Sequence, residues 1–316
     1  MGLFLQLLIV GIATGAIYSL IALGYTMVYG IIELINFAHG DIFMIGTLVC
    51  FALVNAFGIT DTSRLSLGTL LGLLLLIFLA SILICAVLGV VIERVAYRPL
   101  RNAPRLAPLI SAIGVSLILE DFGKFTLGLT PVSFPGIVPK IPLNIGSITV
   151  NDTDLLVIVV ALVLMVGLQW LITRTRMGRA MRAVAQDREA AALMGVNVDR
   201  IIAITFFIGA GLAGAAAFIY ELQISVTQFN IGFQLGLIAF TAAVLGGIGN
   251  LVGAMLGGLL IGLIQSLVLY IPDRDLPYGL PHGGIAWSQA IVFAILILIL
   301  VFRPSGLLGQ QVPEKV

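Results

Sequence analysis

Charged residues are scarce in this sequence, at 10% of 316 residues, whereas 60% of the residues are hydrophobic. A soluble domain carries about 25% charged residues, so a soluble protein of this length would lack the polar groups to cover its surface. The formal net charge of +1 argues against binding to nucleic acid. The composition therefore predicts an integral membrane protein, organised as a single transmembrane domain over residues 1–316.

Cysteine and histidine are also nearly absent, with two residues of each type. Cys50 and Cys85 lie inside apolar runs without metal-ligand spacing, so buried free thiols are expected and no metal site is predicted. The N-terminus has neither a basic n-region nor a small-residue cleavage site. We therefore interpret the first residues as a membrane span and not as a removed signal peptide.

Uncharged runs of membrane-spanning length follow one another along the chain. A helix needs about 20 apolar residues to cross a hydrocarbon core of roughly 30 Å. These runs predict an all-α polytopic membrane protein with about nine transmembrane helices, within a range of eight to ten. The 36 glycines favour close helix packing, and in the glycine-rich parts they favour broken or re-entrant helices. The predicted spans lie within residues 1–32, 42–60, 65–92, 155–172, 201–220 and 285–302, with one more from residue 106 and two within 222–272.

Basic residues concentrate in three islands, at residues 93–105, 173–200 and 303–316. Because Lys and Arg accumulate on the cytoplasmic side of membranes, these islands are predicted to be cytoplasmic and the N-terminus to lie outside. Residues 129–153, rich in Pro, Gly and Ser, are then an outer loop or small hairpin. Further polar turns are predicted at residues 61–64 and 273–284 outside, at residues 36–41, and at a glycine turn around residues 246–250.

The segment from residue 173 to 200, here called the Arg-rich segment, holds nine of the charges of the chain and six of its sixteen basic residues. Residues 179–194 are good helix formers, and Gly195 would end that helix in a left-handed conformation. The segment is interpreted either as a docking surface for a second protein or as a solvated loop anchored by its positive charges.

Within this segment, Glu189, Ala190 and Ala191 are followed after three residues by Gly195, which resembles the EAA coupling motif of ABC importer permeases. Longer stretches at residues 15–46, 176–214, 231–262 and 303–309 are similar to the branched-chain amino acid permease family of the LivH type. The likeness covers most of the chain in order and is specific at the level of the family.

The resemblance implies a non-catalytic permease subunit of an ATP-driven ABC importer for leucine, isoleucine and valine. Its implied partners are a second homologous permease, two ABC ATPases and a periplasmic or lipid-anchored amino-acid-binding protein. It also implies a multi-pass location in the bacterial inner membrane. The sequence has no GxxxxGK[ST] phosphate loop, so no cofactor is expected on this chain, and ATP with Mg²⁺ is assigned to the partner ATPases. The residues implied in ATPase coupling are Glu189, Ala190, Ala191, Gly195, Arg182 and Arg188.

Candidate substrate-pathway residues come from polar interruptions in the apolar runs. Asn36 and His39 lie in the stretch ELINFAHGD, which is either a cytoplasmic turn or a discontinuous helix lining the pathway. Gln234 and Thr241 are weaker candidates, and Gly247 would permit either dense packing or a bend along the pathway.

Other functions remain open from the sequence. The cargo of the same kind of permease would alternatively be urea or a short amide, although the short N-terminus argues against urea. A secondary transporter or channel that works alone would need no segment for docking a partner, and the Arg-rich segment argues against this alternative. A membrane enzyme has no support from a metal cluster or a nucleophile–base pair.

Overall fold

The computed structural model describes residues 2–59, 66–101, 103–104, 106–136, 138, 142–145, 148–269, 284–303 and 305–309. Within these residues, seven helices are long and apolar enough to cross a membrane, and two shorter apolar helices accompany them. The predicted all-α polytopic fold is confirmed. The helices in chain order are α1 (Gly2–Ile32), α2 (Ala38–Ala56), α3 (Leu67–Ile92), α4 (Leu106–Leu127), α5 (Asp152–Arg174), α6 (Arg176–Gln186), α7 (Arg188–Leu193), α8 (Val198–Ile224), α9 (Ile231–Gly246), α10 (Leu251–Val268) and α11 (Gly284–Phe302).

A π-helical turn after α3 (Glu93–Tyr97) and four short strands complete the described secondary structure. The strands β2 (Pro142–Ile145) and β3 (Ile148–Asn151) pair as an antiparallel hairpin, as expected for the predicted outer loop. The strands β1 (Val132–Ser133) and β4 (Val226–Thr227) also pair antiparallel. The second pair ties the loop after α4 to the chain between α8 and α9.

The most extensive helix contacts join α1 to α10 and α3 to α8, and the residues in contact show that both pairs are antiparallel. Glycines make the first of these possible, because a Cβ on Gly15 would lie 2.8 Å from the Cα of Leu259 and one on Gly262 would lie 2.3 Å from the Cα of Gly15. The Ser19 hydroxyl donates to the Met255 carbonyl at 2.7 Å across the same interface. Small residues thus bring the two backbones into contact where lipid supplies no hydrophobic driving force.

The bundle repeats one arrangement in opposite directions. The segment α1–α2–α3 corresponds to α8–α9–α10, since α3 packs on α8 as α10 packs on α1. In each half the first long helix ends at a residue with positive φ, Glu33 at 55° and Ser225 at 59°, the two non-glycine residues of this kind in the described chain. A short non-helical stretch follows in both halves. The molecule therefore contains an inverted repeat of three helices, and in each half a short non-helical segment, here called the break, follows the first helix.

The helices that follow the two breaks begin in contact with each other. A Cβ on Gly40 in α2 would lie 2.3 Å from the carbonyl oxygen of Gly232, and one on Gly232 in α9 would lie 2.7 Å from that of Gly40. The neighbouring His39 touches Gly24 in α1, eight residues before α1 ends. At 1.5 Å rise per residue the start of α2 lies about 12 Å inside the bundle from that end. Both helices thus start inside the bundle.

Three sequence predictions are corrected by this fold. Span two begins at Ala38, so Asp41, predicted in a polar interruption, lies in its first turn and is buried. The span predicted over residues 201–220 continues to Ile224, so Glu221 is buried inside α8. The single helix predicted over residues 179–194 is divided at Asp187, whose backbone is extended, because this side chain caps a new helix.

Some predicted features lie outside the described residues. These are the turn at 61–64, most of the loop at 273–284, the residues from 310 onward and parts of the loop at 129–153. The predicted glycine turn is confirmed, since α9 ends at Gly246 and α10 begins at Leu251.

Candidate functional site at the Arg-rich end of the bundle

The Arg-rich segment folds into two short helices, α6 and α7, at one end of the bundle. Thr175 caps α6 by accepting a hydrogen bond from the Gly178 amide at 3.1 Å. Asp187 caps α7 by accepting from the amides of Glu189 at 2.9 Å and Ala190 at 3.0 Å. An oxygen side chain at this position satisfies amides that the helix leaves free. The division of the segment is therefore specified locally by Asp187.

The far end of α7 is turned away from the bundle. Gly195 has a φ of 83°, as predicted for the residue that ends this helix. Just before it, Leu193 and Met194 are 88% and 85% exposed, whereas Ala191 is buried against the bundle. One face of α7 thus anchors the helix, and the other presents two large apolar side chains.

Two arginines tie the segment to the ends of spanning helices. Arg188 donates to the carbonyl of Ile31 in the last turn of α1 at 3.0 Å. Arg182 donates to the carbonyl of Ile172 near the end of α5. Cations stabilise the free carbonyls and negative dipole at helix C-termini. Both arginines therefore have a structural role at positions that the sequence assigned to coupling.

A cavity of about 470 Å³ opens beside α7. Apolar, aromatic and charged side chains line it. Its lining includes Ile31, Ile32, Glu33, Leu34, Tyr97, Arg101, Val184, Asp187, Arg188, Glu189, Ile202 and Phe206. The cavity therefore lies between α7, the end of α1 and the start of α8.

An ion cluster that the sequence did not predict joins α8 to the chain after α3. Arg98 donates to Asp199 Oδ2 at 2.5 Å, Arg101 donates to Asp199 Oδ1, and Arg101 donates to Glu93 Oε1 at 2.8 Å. Glu93 begins a five-residue π-helical turn, Glu93–Tyr97, that extends α3. The island at residues 93–105 is thus bound to the first turn of α8. Sequence spacing holds no signal for a pairing across about 100 positions.

The candidate pathway residues Asn36 and His39 are buried, at 2% and 1% exposure, so they do not form an exposed turn. Asn36 Oδ1 accepts a hydrogen bond from the Tyr97 hydroxyl at 3.1 Å. The His39 ring packs edge-on against Tyr25 with centroids 4.8 Å apart. Asn36 Nδ2 and His39 Nε2 have no hydrogen-bond partner among the described residues. The two side chains border the break before α2.

The remaining pathway candidates lie on or after α9. Gln234 Oε1 accepts from Gln228 Nε2 at 3.4 Å, and the buried Thr241 hydroxyl donates within its own helix to Leu237 at 2.8 Å. Gly247 packs against residues 305–309, where a Cβ would lie 2.5 Å from the Gly309 nitrogen. The structure explains this glycine by packing, and a pathway role for these residues stays a prediction.

Comparison with known proteins gives a consistent result. Residues 7–300 match the family described as "Branched-chain amino acid transport system / permease component". The chain is 42% identical over 317 residues to the high-affinity branched-chain amino acid transport system permease protein BraD of Pseudomonas aeruginosa, across 99% of this chain and 98% of that relative. It is 41% identical over 320 residues to the permease protein LivH of Escherichia coli K12, with the same coverage of 99% and 98%.

A more distant relative is the probable branched-chain amino acid transport permease protein LivH of Methanocaldococcus jannaschii. It is 26% identical over 295 residues, across 92% of this chain and 88% of the relative. The similarity to all three proteins thus extends over nearly the whole chain. The chain belongs to the family of branched-chain amino acid transport system permease components, as the sequence resemblance predicted.

Proposed function

We propose that this chain is the membrane-embedded, non-catalytic subunit of an ATP-driven importer for branched-chain amino acids. The family match over residues 7–300 supports the class of protein. The names of the two relatives at 41–42% identity support leucine, isoleucine and valine as cargo. The observation that carries the ATP-driven part is α7, a capped helix that presents exposed apolar side chains at the Arg-rich end of the bundle.

The proposed location is the bacterial inner membrane, with α6 and α7 in the cytoplasm. The accumulation of arginine around these helices supports that orientation. Two ABC ATPases would dock on this side, and a periplasmic or lipid-anchored binding protein would deliver the amino acid on the other side. A second homologous permease would complete the assembly. ATP and Mg²⁺ would be bound by the ATPases and not by this chain.

The proposed docking surface consists of Glu189, Ala190, Leu193 and Met194. Exposed large apolar side chains next to charged groups are typical of protein interaction sites. Leu193 and Met194 project from the end of a helix whose other face is fixed by Ala191. A groove on an ATPase would cover these two side chains and surround the short helix, as amphipathic helices bind in apolar grooves.

Movement of α7 would reach the spanning helices through direct contacts. Arg188 holds the last turn of α1, which immediately precedes the break at Glu33. A shift of α7 driven by ATP binding would therefore displace the end of α1 and alter the cavity beside it. This is the step by which ATPase motion would enter the membrane.

The test is assembly with the partner subunits. The chain would be co-expressed with its ATPases and binding protein, and the ATPase recovered with the purified permease would be quantified. The double variant Leu193→Asp/Met194→Asp is expected to lose most of the bound ATPase because it places charges in an apolar contact. A pair on the exposed side of α5, Val159→Leu/Val163→Leu, is the control and is expected to keep the ATPase. Equal ATPase recovery with the aspartate variant would exclude α7 as the docking site.

A further inference from the structure

The ion cluster of Glu93, Arg98, Arg101 and Asp199 lies between the Arg-rich segment and the non-helical break before α2. At one end, Asp199 lies in the first turn of α8, four residues after Gly195 ends α7. Asn197 fixes this turn by accepting from the Arg200 amide at 3.0 Å. Since only a short capped turn separates α7 from Asp199, a displacement of α7 moves the Asp199 carboxylate.

The middle of the cluster is rigid. Arg101 bridges two carboxylates, and the side chain of one of them, Glu93, is 1% exposed. Separating Arg101 from Glu93 would leave a buried charge without its partner, which is strongly unfavourable. The arginine and the turn that carries Glu93 therefore move together. An exposed ion pair such as Arg98 with Asp199 adds little to this on its own.

At the other end, the π-helical turn presents Tyr97 to the break. The amide of Arg98 donates to the Glu93 carbonyl at 2.7 Å and closes this turn, so Glu93 and Tyr97 belong to one unit. The Tyr97 hydroxyl lies 3.1 Å from Asn36 Oδ1 and 3.4 Å from the Ile35 carbonyl. π-helical turns are rare and are frequently found at functional sites.

We propose that Asp199, Arg101 and Tyr97 are positioning residues of the transport cycle, which carry the displacement of α7 to the break at residues 33–37. This inference rests on the proposed function and assigns a route to its coupling step. Both Arg101 and Tyr97 line the cavity beside α7. A shift of the cluster would therefore change two features at once. It would alter the cavity wall, and it would alter the hydrogen bond between Tyr97 and Asn36 just before α2.

The experiment uses the assembled transporter in proteoliposomes and measures two rates, ATP hydrolysis stimulated by the loaded binding protein and uptake of radiolabelled leucine. Tyr97→Phe removes one hydroxyl, and Asp199→Asn removes one carboxylate charge. Each variant is expected to lower uptake by about tenfold, as expected for the loss of a typical coupling free energy, while stimulated hydrolysis stays within about twofold. Asp199→Glu, which keeps the charge, is expected to recover part of the uptake.

The control is Arg94→Ala. Arg94 lies in the same turn and is exposed, and its side chain makes no hydrogen bond or ion pair with the residues that the structure describes. Uptake at the wild-type rate in both Tyr97→Phe and Asp199→Asn would overturn the inference. A parallel fall of uptake and hydrolysis in Tyr97→Phe would also overturn it, because that result indicates a structural role only. Failure of the wild-type assembly to hydrolyse ATP would instead contradict the proposed function.

Discussion

Gly40 and Gly232 lie against each other where α2 and α9 begin, each with its Cα facing the backbone of the other. Asp41 adds a carboxylate to this contact, with Oδ1 2.8 Å from the position that a Cβ on Gly232 would take. Two helices that start inside a membrane protein place their positive N-terminal ends there. The contact therefore joins the two halves of the inverted repeat at the first turns of α2 and α9, just after the two breaks.

This contact predicts a strong effect of Gly232→Ala on stability. The added methyl group would meet backbone atoms of Gly40 and Asp41 at 2.7–2.8 Å, and backbone cannot move aside as a flexible side chain can. Overpacking of this kind costs about 1–3 kcal/mol. Thermal unfolding of the purified protein in detergent is expected to occur at a lower temperature than for the wild type.

The matched control is Gly114→Ala in α4, where an added Cβ meets no atom within 4 Å. This variant should unfold at or above the wild-type temperature, since alanine favours helix over glycine by about 1 kcal/mol. Equal melting of both variants would show that the contact between α2 and α9 is not tightly packed.

The cap of α7 predicts a separate effect on ATPase association. Asp187→Ala removes the acceptor for the amides of Glu189 and Ala190, which costs about 1 kcal/mol. A helix of six residues is expected to fray after this loss. Co-purification should then recover less ATPase with Asp187→Ala, whereas Asp187→Ser, which can still cap, should retain it. Full recovery with the alanine variant would mean that α7 is held by its partner or by packing alone.

The turn after α7 predicts an effect of side-chain shape on transport. Gly195 has a φ of 83° with no atom within 4 Å of an added Cβ, so substitutions there test backbone strain without a steric clash. Gly195→Val is expected to reduce leucine uptake because a β-branched residue strongly disfavours positive φ. Gly195→Asn is expected to retain most of the uptake, since asparagine tolerates this conformation. Identical uptake by the two variants would contradict a role for the turn geometry.

The orientation predicts which single cysteines react from each side. Native Cys50 and Cys85 are fully buried, so they contribute little background with a membrane-impermeant maleimide. Leu129→Cys, after α4, should react in intact cells, and Leu193→Cys, in α7, should react only after permeabilisation. The reverse pattern would place the Arg-rich segment outside and remove the basis for ATPase docking.

Much of the bundle could be predicted because membrane spans depend on local composition. The uncharged run at residues 1–32 became α1, and the glycine turn near residue 247 separates α9 from α10 as expected. The prediction was less accurate where a polar residue lies inside a helix. Asp41 and Glu221 appear as span boundaries in sequence, yet tertiary packing buries both of them.

The candidate site could be predicted only in its local parts. Gly195 was identified because its conformational preference is intrinsic to glycine. The bond between Arg101 and Asp199 was not, because it joins residues that are adjacent only after α3 and α8 have packed. The sequence does not indicate that a new helix begins at Asp187, because residues on both sides of it have high helix propensity and a single capping residue is a weak signal.

We propose that ATP-driven motion enters this permease through α7, and leucine uptake into proteoliposomes that contain the complete assembly is the most direct test. Uptake by the wild type is expected only when ATP is present. Glu189→Lys, inserted to the same level, is expected to lose most of this uptake because it reverses the charge on the proposed docking surface. Uptake that proceeds without ATP, or that is unchanged by Glu189→Lys, would show that transport is not driven through α7.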